Sequence, residues 1–331
     1  MHLHIILRRE KDGLLLQAVP VETAAPQPPT LLAQHYPLLL FALTVLTVTI
    51  TGYFNATTHM ELLQVLGRSP DVPEGLYVAG MTAAYTISLL AVLGLHELGH
   101  TLACRRHHIE ASLPIFIPGI PLLTPGTFGA LIRQKDPALD RNQLFDIGLS
   151  GPFISFITAL AISALGYSLS LPISEEEYFL LTSLGGEGQF LFLPLLFHWL
   201  SPYLFPNPTS FTHILHPLAL SGWMATLLTF LNIFPIGQLD GGHVARAVLG
   251  ATWHRRVSYA MVLVMLLTGW WSMALLVLLF VRNRHPGVLD EATPLSPSRK
   301  ALSILVVVIF LTCFTPSAGS PLIPLLYGFP G

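Results

Sequence analysis

The stretch Leu93-Gly94-Leu95-His96-Glu97-Leu98-Gly99-His100, inside a long apolar block at about 78–104, decides how this sequence folds and which chemistry it carries. Histidines at positions i and i+4 of a helix project from one face about one turn apart, so His96 and His100 can bind one metal ion. Glu97 lies beside that face, where its carboxylate can act as a general base. Ionisable groups inside a membrane span are costly and mark function. The pattern therefore predicts a zinc site, and a polar contact between helices is the alternative.

The composition is that of a membrane protein. Of the 331 residues, 52% are hydrophobic and 10% are charged, whereas soluble proteins have about 25% charged residues. The apolar residues form blocks of roughly the length that a helix needs to cross a bilayer, at about 38–54, 78–104, 144–169, 214–236, 257–281 and 301–315. These blocks predict an all-α polytopic membrane protein with about six transmembrane segments.

The sequence divides into three parts. Residues 1–37 are a short polar head that ends in a Pro-rich linker, 38–315 are the membrane domain, and 316–331 are a C-terminal tail. The net charge of −2 gives no sign of nucleic-acid binding. Two cysteines are too few for a disulfide framework or a thiolate zinc site.

The segment 110–132 is apolar but is not expected to be a membrane helix. It carries four prolines and three glycines, more helix breakers than a membrane helix tolerates. Irregular backbone is permitted at membrane depth only where protein or water satisfies its polar groups. We therefore expect a membrane-associated β-hairpin or re-entrant segment at about 110–132.

The distribution of lysine and arginine predicts the orientation, since cytoplasmic loops carry the excess of positive charge. Five of these residues lie in 104–143 and three in 237–256, whereas none lies in 170–212. The site is thus expected near the cytoplasmic side of the cell membrane in a multi-pass protein. A single span at 257–281 would place the following arginines outside, and a hairpin turning at about Gly269 would keep them inside. Both readings stay open.

A zinc ion bound by two histidines needs a third protein ligand, and one position remains for water. Asp240 is the best candidate, because it lies at the inner end of the fourth span, at a depth that matches His100. His243, three residues later, is a rival ligand. A metalloprotease of another type would use a downstream helical glutamate, but the only one after Asp240 is Glu291, in a loop.

Four further residues surround Asp240 in the run NIFPIGQLDGGH (232–243). Pro235 cannot donate a helical hydrogen bond, so the helix should kink or end there. Asn232 can then satisfy freed backbone groups or contact a bound peptide, and the two readings are equally good. Gly241 and Gly242 are expected to end the helix and to let backbone approach closely.

These motifs resemble those of the site-2 protease family of intramembrane zinc metalloproteases, in the branch shared by archaea, cyanobacteria and plastids. The resemblance covers 78–315 and leaves no room for a PDZ insertion. It rests on HELGH (96–100), GTFGA (126–130), LFDIGLSGP (144–152), HPLALSGW (216–223) and NIFPIGQLDGGH (232–243).

The resemblance implies a function and a set of site residues. It implies an enzyme that cuts single-span transmembrane proteins within the lipid bilayer, with one Zn²⁺ per chain. The implied ligands are His96, His100 and Asp240, with Glu97 as the catalytic residue. The residues that would bind the substrate or support the site are Asn232, Pro235, Gly126, Thr127 and Gly129. The last three would lie in a hairpin beside the site. The alternative is a non-proteolytic zinc-binding membrane protein, either a transporter or an inactive homologue that binds membrane helices.

Overall fold

Helices dominate the computed structural model, which describes residues 3–10, 13–20, 31–132, 134–183, 194–204, 212–281 and 285–315. The Pro-rich linker and the tail at 316–331 lie outside these residues. In chain order the helices are α1 (Leu31–Val65), α2 (Glu74–Arg106), α3 (Arg141–Ser168), α4 (Glu175–Ser183), α5 (Leu195–Leu204), α6 (Pro217–Asn232), α7 (Asp240–Leu267), α8 (Trp271–Val281) and α9 (Pro297–Thr312). The helix α1 begins before the domain boundary that the sequence suggested at residue 37.

Three helices in the described part of the chain are long and apolar enough to cross a membrane. They are His35–Val65 within α1, all of α2 and all of α3. Local signals explain several helix starts: the Asp140 side chain accepts a hydrogen bond from the Gln143 N–H at 2.8 Å at the start of α3. Proline occupies the first turn of α6 and α9, where no helical N–H is required.

The helix α3 lies at the centre of the bundle and contacts α2, α6 and α7. The largest buried cluster, which includes Phe145, Phe230 and Phe234, lies around these contacts. Small residues allow the helices to approach closely. A β-carbon on Gly99 of α2 would lie 2.7 Å from the Ser150 carbonyl oxygen of α3. Such small-residue contacts are typical of helix packing in membranes.

The described strands form three antiparallel two-stranded sheets: β1 (Leu3–Glu10) with β2 (Gly13–Pro20), β3 (Ile115–Pro118) with β4 (Thr127–Leu131), and β5 (Leu171–Ile173) with β6 (Thr212–Ile214). The hairpin β3–β4 lies within the segment 110–132, so this segment is not helical. It packs against α1: the Thr47 hydroxyl donates to the Gly126 carbonyl at 2.6 Å. A β-carbon on Gly126, whose φ is +95°, would lie 2.5 Å from the Val48 Cα.

The apolar block 257–281 is not one continuous helix. The helix α7 ends at Leu267, Gly269 has a φ of +83°, and α8 begins at Trp271 and packs back on α7. Downstream, Arg299 forms an ion pair with Asp146 at 2.6 Å. This contact places the positive charge of α9 on the same side as the start of α3, as the hairpin reading requires.

The position of Asp240 differs from the sequence expectation. The helix α6 already ends at Asn232, and Asp240 is the first residue of the next helix, α7. Gly241 and Gly242 therefore lie in the first turn of α7 and do not end a helix. They do allow close backbone approach, since a β-carbon on Gly241 would lie 1.9 Å from the Ile233 carbonyl oxygen. The helix α6 ends before Pro235, as expected because a residue that precedes proline is disfavoured in the helical conformation.

Candidate active site

The helices α2 and α3 and the first residue of α7 meet at the candidate metal centre. His96 and His100 lie on one face of α2, and their Nε2 atoms are 3.0 Å apart. The Asp240 Oδ2 atom lies 3.1 Å from Nε2 of His96 and 3.4 Å from Nε2 of His100. Among the described residues, these three form the group of possible metal ligands whose donor atoms lie within 4.8 Å of one another.

Hydrogen bonds behind the two imidazoles fix their tautomers. Nδ1 of His100 lies 2.8 Å from the Ile147 carbonyl, which can only accept, so this nitrogen carries the proton. Nδ1 of His96 lies 3.1 Å from the Ser155 hydroxyl, which donates its own proton to the Pro152 carbonyl. Ser155 therefore accepts from His96. Both Nε2 atoms face the cluster as lone pairs, the usual arrangement of metal-binding histidines.

The donor set fits a zinc ion. Two lone-pair nitrogens and a carboxylate oxygen lie 3.0–3.4 Å apart, an arrangement that repels itself unless positive charge lies between them. Ligands at about 2.0–2.1 Å from a tetrahedral zinc ion are about 3.3 Å from each other. The distances therefore match, and nitrogen and carboxylate donors are those that zinc binds.

Glu97 lies beside the cluster and is almost fully buried, with 3% of its surface exposed. The backbone N–H of Ile132, one residue after β4, hydrogen-bonds to its carboxylate. Its Oε2 atom has no hydrogen-bond partner in the described part of the chain. Buried polar atoms are normally paired, so an unpaired carboxylate oxygen at this position is available to a proton from a reacting molecule.

Glycines of α3 make room for the cluster. A β-carbon on Gly151 would lie 2.2 Å from Nε2 of His100. One turn earlier, a β-carbon on Gly148 would lie 2.9 Å from the Asp240 carbonyl oxygen. No side chain fits at either position, so α3 supplies the flat surface on which the metal-binding residues of α2 and α7 meet.

The residues that the sequence assigned to substrate or support lie in two places. Thr127 is buried in the hairpin, where its hydroxyl donates to the Ile117 carbonyl at 2.9 Å and accepts from the Gly129 N–H at 2.9 Å. Asn232 and Pro235 flank the turn between α6 and α7, and both are partly exposed. The hydrogen bond from the Ile132 N–H to the Glu97 carboxylate places the end of β4 beside Glu97.

Sequence reasoning missed Ser155 and Gly151 as parts of the site. Ser155 also accepts a hydrogen bond from Thr229 of α6 at 3.1 Å, so it joins three helices. A signal was present, because Gly148, Gly151 and Ser155 are small residues spaced three and four apart in an apolar span. That spacing places them on one helix face and predicts a close helix contact.

The fold and the site together define a class of protein, the helical membrane metallopeptidases that carry a His-Glu-x-x-His motif within an apolar helix. The sequence profile of peptidase family M50 matches residues 84–276. Because this match covers more than half of the chain, the chain belongs to peptidase family M50.

Curated relatives agree with this assignment. The chain is 30% identical over 318 residues to "Probable zinc metalloprotease EGY1, chloroplastic" of Arabidopsis thaliana, covering 88% of this chain and 55% of the relative. It is 28% identical to the protein of the same name from Oryza sativa subsp. japonica, covering 89% and 52%. It is 29% identical to "Probable zinc metalloprotease EGY2, chloroplastic" of Arabidopsis thaliana, covering 70% and 41%. The chain thus spans about half the length of these relatives. No solved structure matches it significantly.

Proposed function

We propose that this chain is an intramembrane zinc endopeptidase that hydrolyses peptide bonds of single-span transmembrane proteins near the cytoplasmic face of the cell membrane. The observation that carries the proposal is the lone-pair cluster of His96, His100 and Asp240 beside the unpaired carboxylate of Glu97. Membership of peptidase family M50 and the names of the relatives support hydrolysis of peptides.

The cluster would hold one zinc ion per chain. When bound, zinc supplies a Lewis acid that polarises the scissile carbonyl and lowers the pKa of water. Glu97 takes the proton from the attacking water on its free Oε2 and later gives it to the leaving amine. The Ile132 N–H holds the Glu97 carboxylate in place during both transfers.

The hairpin β3–β4 would hold the substrate. A membrane helix hides its scissile carbonyl in a hydrogen bond, so the substrate must unwind before attack. The strand β4 pairs with β3 on one side, and β3 packs against α1, so the other edge of β4 can pair with an unwound substrate. Gly126, just before this strand, and Thr127 and Gly129 within it would shape a membrane-associated re-entrant segment. Asn232 and Pro235, at the end of α6 and in the turn that follows, would contact the peptide or support the site.

The proposal also includes an orientation and a domain organisation. Positive residues crowd the segments 104–143 and 237–256, which we place at the cytoplasmic side together with the site. The catalytic domain would occupy 38–315 with about six membrane segments, and 1–37 would form a head outside the bilayer. The contacts of Asp146 with Arg299 and with His107 support this arrangement, since they bring the start of α3, the start of α9 and the end of α2 together.

The variant Glu97→Gln tests the proposal. Glutamine has nearly the shape of glutamate but no basicity, so the variant should keep one zinc per chain and lose about 10²–10⁴-fold in cleavage rate. The assay measures cleavage of a purified single-span helix that carries helix-relaxing residues, with the chain in lipid vesicles. Glu110→Gln, at an exposed glutamate paired with Lys135, is the matched control and should cut normally. Wild-type cleavage by Glu97→Gln would refute an enzymatic role for this site. Zinc binding without cleavage of the substrate by either the wild type or the variant would instead favour a zinc-binding membrane protein without protease activity.

A further inference from the structure

A segment between α8 and α9 packs across the first half of α7, and we call residues 285–296 the strap. Arg246 of α7 has 4% of its surface exposed and forms an ion pair with Glu291 of the strap. Two backbone N–H groups of the strap donate to carbonyls just before α3, at 3.1 and 2.6 Å. The strap is thus fixed to the helix that begins with Asp240.

A chain of hydrogen bonds runs from the strap into α7. The backbone N–H of Gly287 donates to Nδ1 of His285 at 2.9 Å. Because a backbone amide can only donate, this nitrogen is unprotonated, and the proton of the neutral ring is on Nε2. Nε2 of His285 lies 2.8 Å from Nδ1 of His243 and donates to it. The ring of His254 packs against that of His285, with centroids 5.4 Å apart.

The same logic fixes the proton on His243. Its Nδ1 accepts from His285, so its own proton is on Nε2. His243 follows Asp240 by three residues on α7 and therefore shares its helix face. It also packs against α3, where a β-carbon on Gly148 would lie 2.8 Å from its Cβ. The same β-carbon would lie 2.9 Å from the Asp240 carbonyl oxygen, so His243 and Asp240 pack against the same point of α3. His243 is thus a neighbour of the metal centre that is not one of its three grouped ligands.

We infer that His243 is a further catalytic residue, whose Nε2–H donates a hydrogen bond to the substrate carbonyl oxygen as negative charge develops on it. His285 and the strap are positioning groups that keep the proton on that nitrogen. If His243 could change tautomer, its Nε2 would be unprotonated in a fraction of the molecules. The lone pair on that nitrogen would then repel the substrate carbonyl oxygen. This inference rests on the proposed function, because it assigns a role in the same peptide hydrolysis.

Kinetics of two variants at His243 and His285 test the assignment. A single hydrogen-bond donor to a developing oxyanion contributes about 10²–10³-fold in kcat. His243→Ala should therefore lose that factor in kcat with little change in KM, and it should keep one zinc per chain. His285→Leu should lower kcat by a smaller factor. His285→Gln should recover most of the loss, since its amide N–H can donate to Nδ1 of His243. His107→Ala, which removes another partly buried histidine paired to Asp146, is the control for general damage.

Three results would overturn the inference: wild-type kcat in His243→Ala, loss of zinc from that variant, or equal kcat in His285→Gln and His285→Leu.

A second readout does not depend on cleavage. ¹⁵N NMR of histidine-labelled protein should show the Nε2–H tautomer for both His285 and His243, and the Nδ1–H tautomer at His285 would refute the relay. The two variants distinguish failure of the proposed function from failure of this inference. Wild-type cleavage by Glu97→Gln would refute the proposed function. Wild-type cleavage by His243→Ala, with Glu97→Gln inactive, would refute only the role of His243.

Discussion

The substitution Gly151→Ala should disable the metal centre through a single methyl group. The added β-carbon would lie 2.2 Å from Nε2 of His100, whereas ordinary van der Waals contacts begin at 3.4 Å. The imidazole would have to move by about 1.2 Å, or α2 and α3 would have to separate. Both are resisted, because Nδ1 of His100 is tied to the Ile147 carbonyl at 2.8 Å.

The expected effect follows from that displacement. A shift of about 1 Å in a catalytic group can cost about 10²-fold in rate, and loss of a supporting contact lowers metal affinity about 10–100-fold. We therefore expect Gly151→Ala to bind zinc at least tenfold more weakly and to cut at least 10²-fold more slowly. Metal analysis after dialysis against graded chelator gives the affinity, and cleavage of the single-span substrate in vesicles gives the rate.

A matched glycine separates this effect from a general one. Gly94 lies in α2 near the same site, but a β-carbon there meets nothing within 4 Å. Alanine is also the better helix former by about 1 kcal/mol, so Gly94→Ala should fold and cut like the wild type. If Gly151→Ala binds zinc and cuts as well as Gly94→Ala, the reasoning that α3 forms the floor of the metal centre is wrong.

Three more predictions follow from the site and the charge map. Asp240→Ala should lose most of the zinc measured by elemental analysis, and full retention of zinc would mean that the third ligand lies elsewhere. Ser155→Ala should weaken zinc binding about 10–100-fold, since the histidine behind it loses its acceptor; Thr158→Ala, whose hydroxyl bonds within its own helix, should not. Cysteine labelling from outside the cell should reach 170–212 and not 136–143, and the reverse pattern would contradict a cytoplasmic site.

The sequence by itself determined the chemistry of α2. A helix fixes the direction of side chains four residues apart, so the shared face of His96 and His100 follows from the spacing alone. That α2 and α3 can cross a bilayer was also predictable from local sequence, because the length and hydropathy of a helix decide this. The prolines and glycines in 110–132 likewise excluded a membrane helix, and the structure has the hairpin β3–β4 there.

Only the tertiary structure decided how distant segments complete the site. Asp240 lies 144 residues beyond His96, and their contact depends on α3 lying between α2 and α7. Local pattern could not show that Asp240 begins a helix, since that start depends on the close approach of Gly241 to the Ile233 carbonyl, where a β-carbon would lie 1.9 Å from the oxygen. Nor could it show that Ser155 orients His96 or that Gly151 makes room for His100. Those roles come from packing between helices, which the spacing within one helix does not specify.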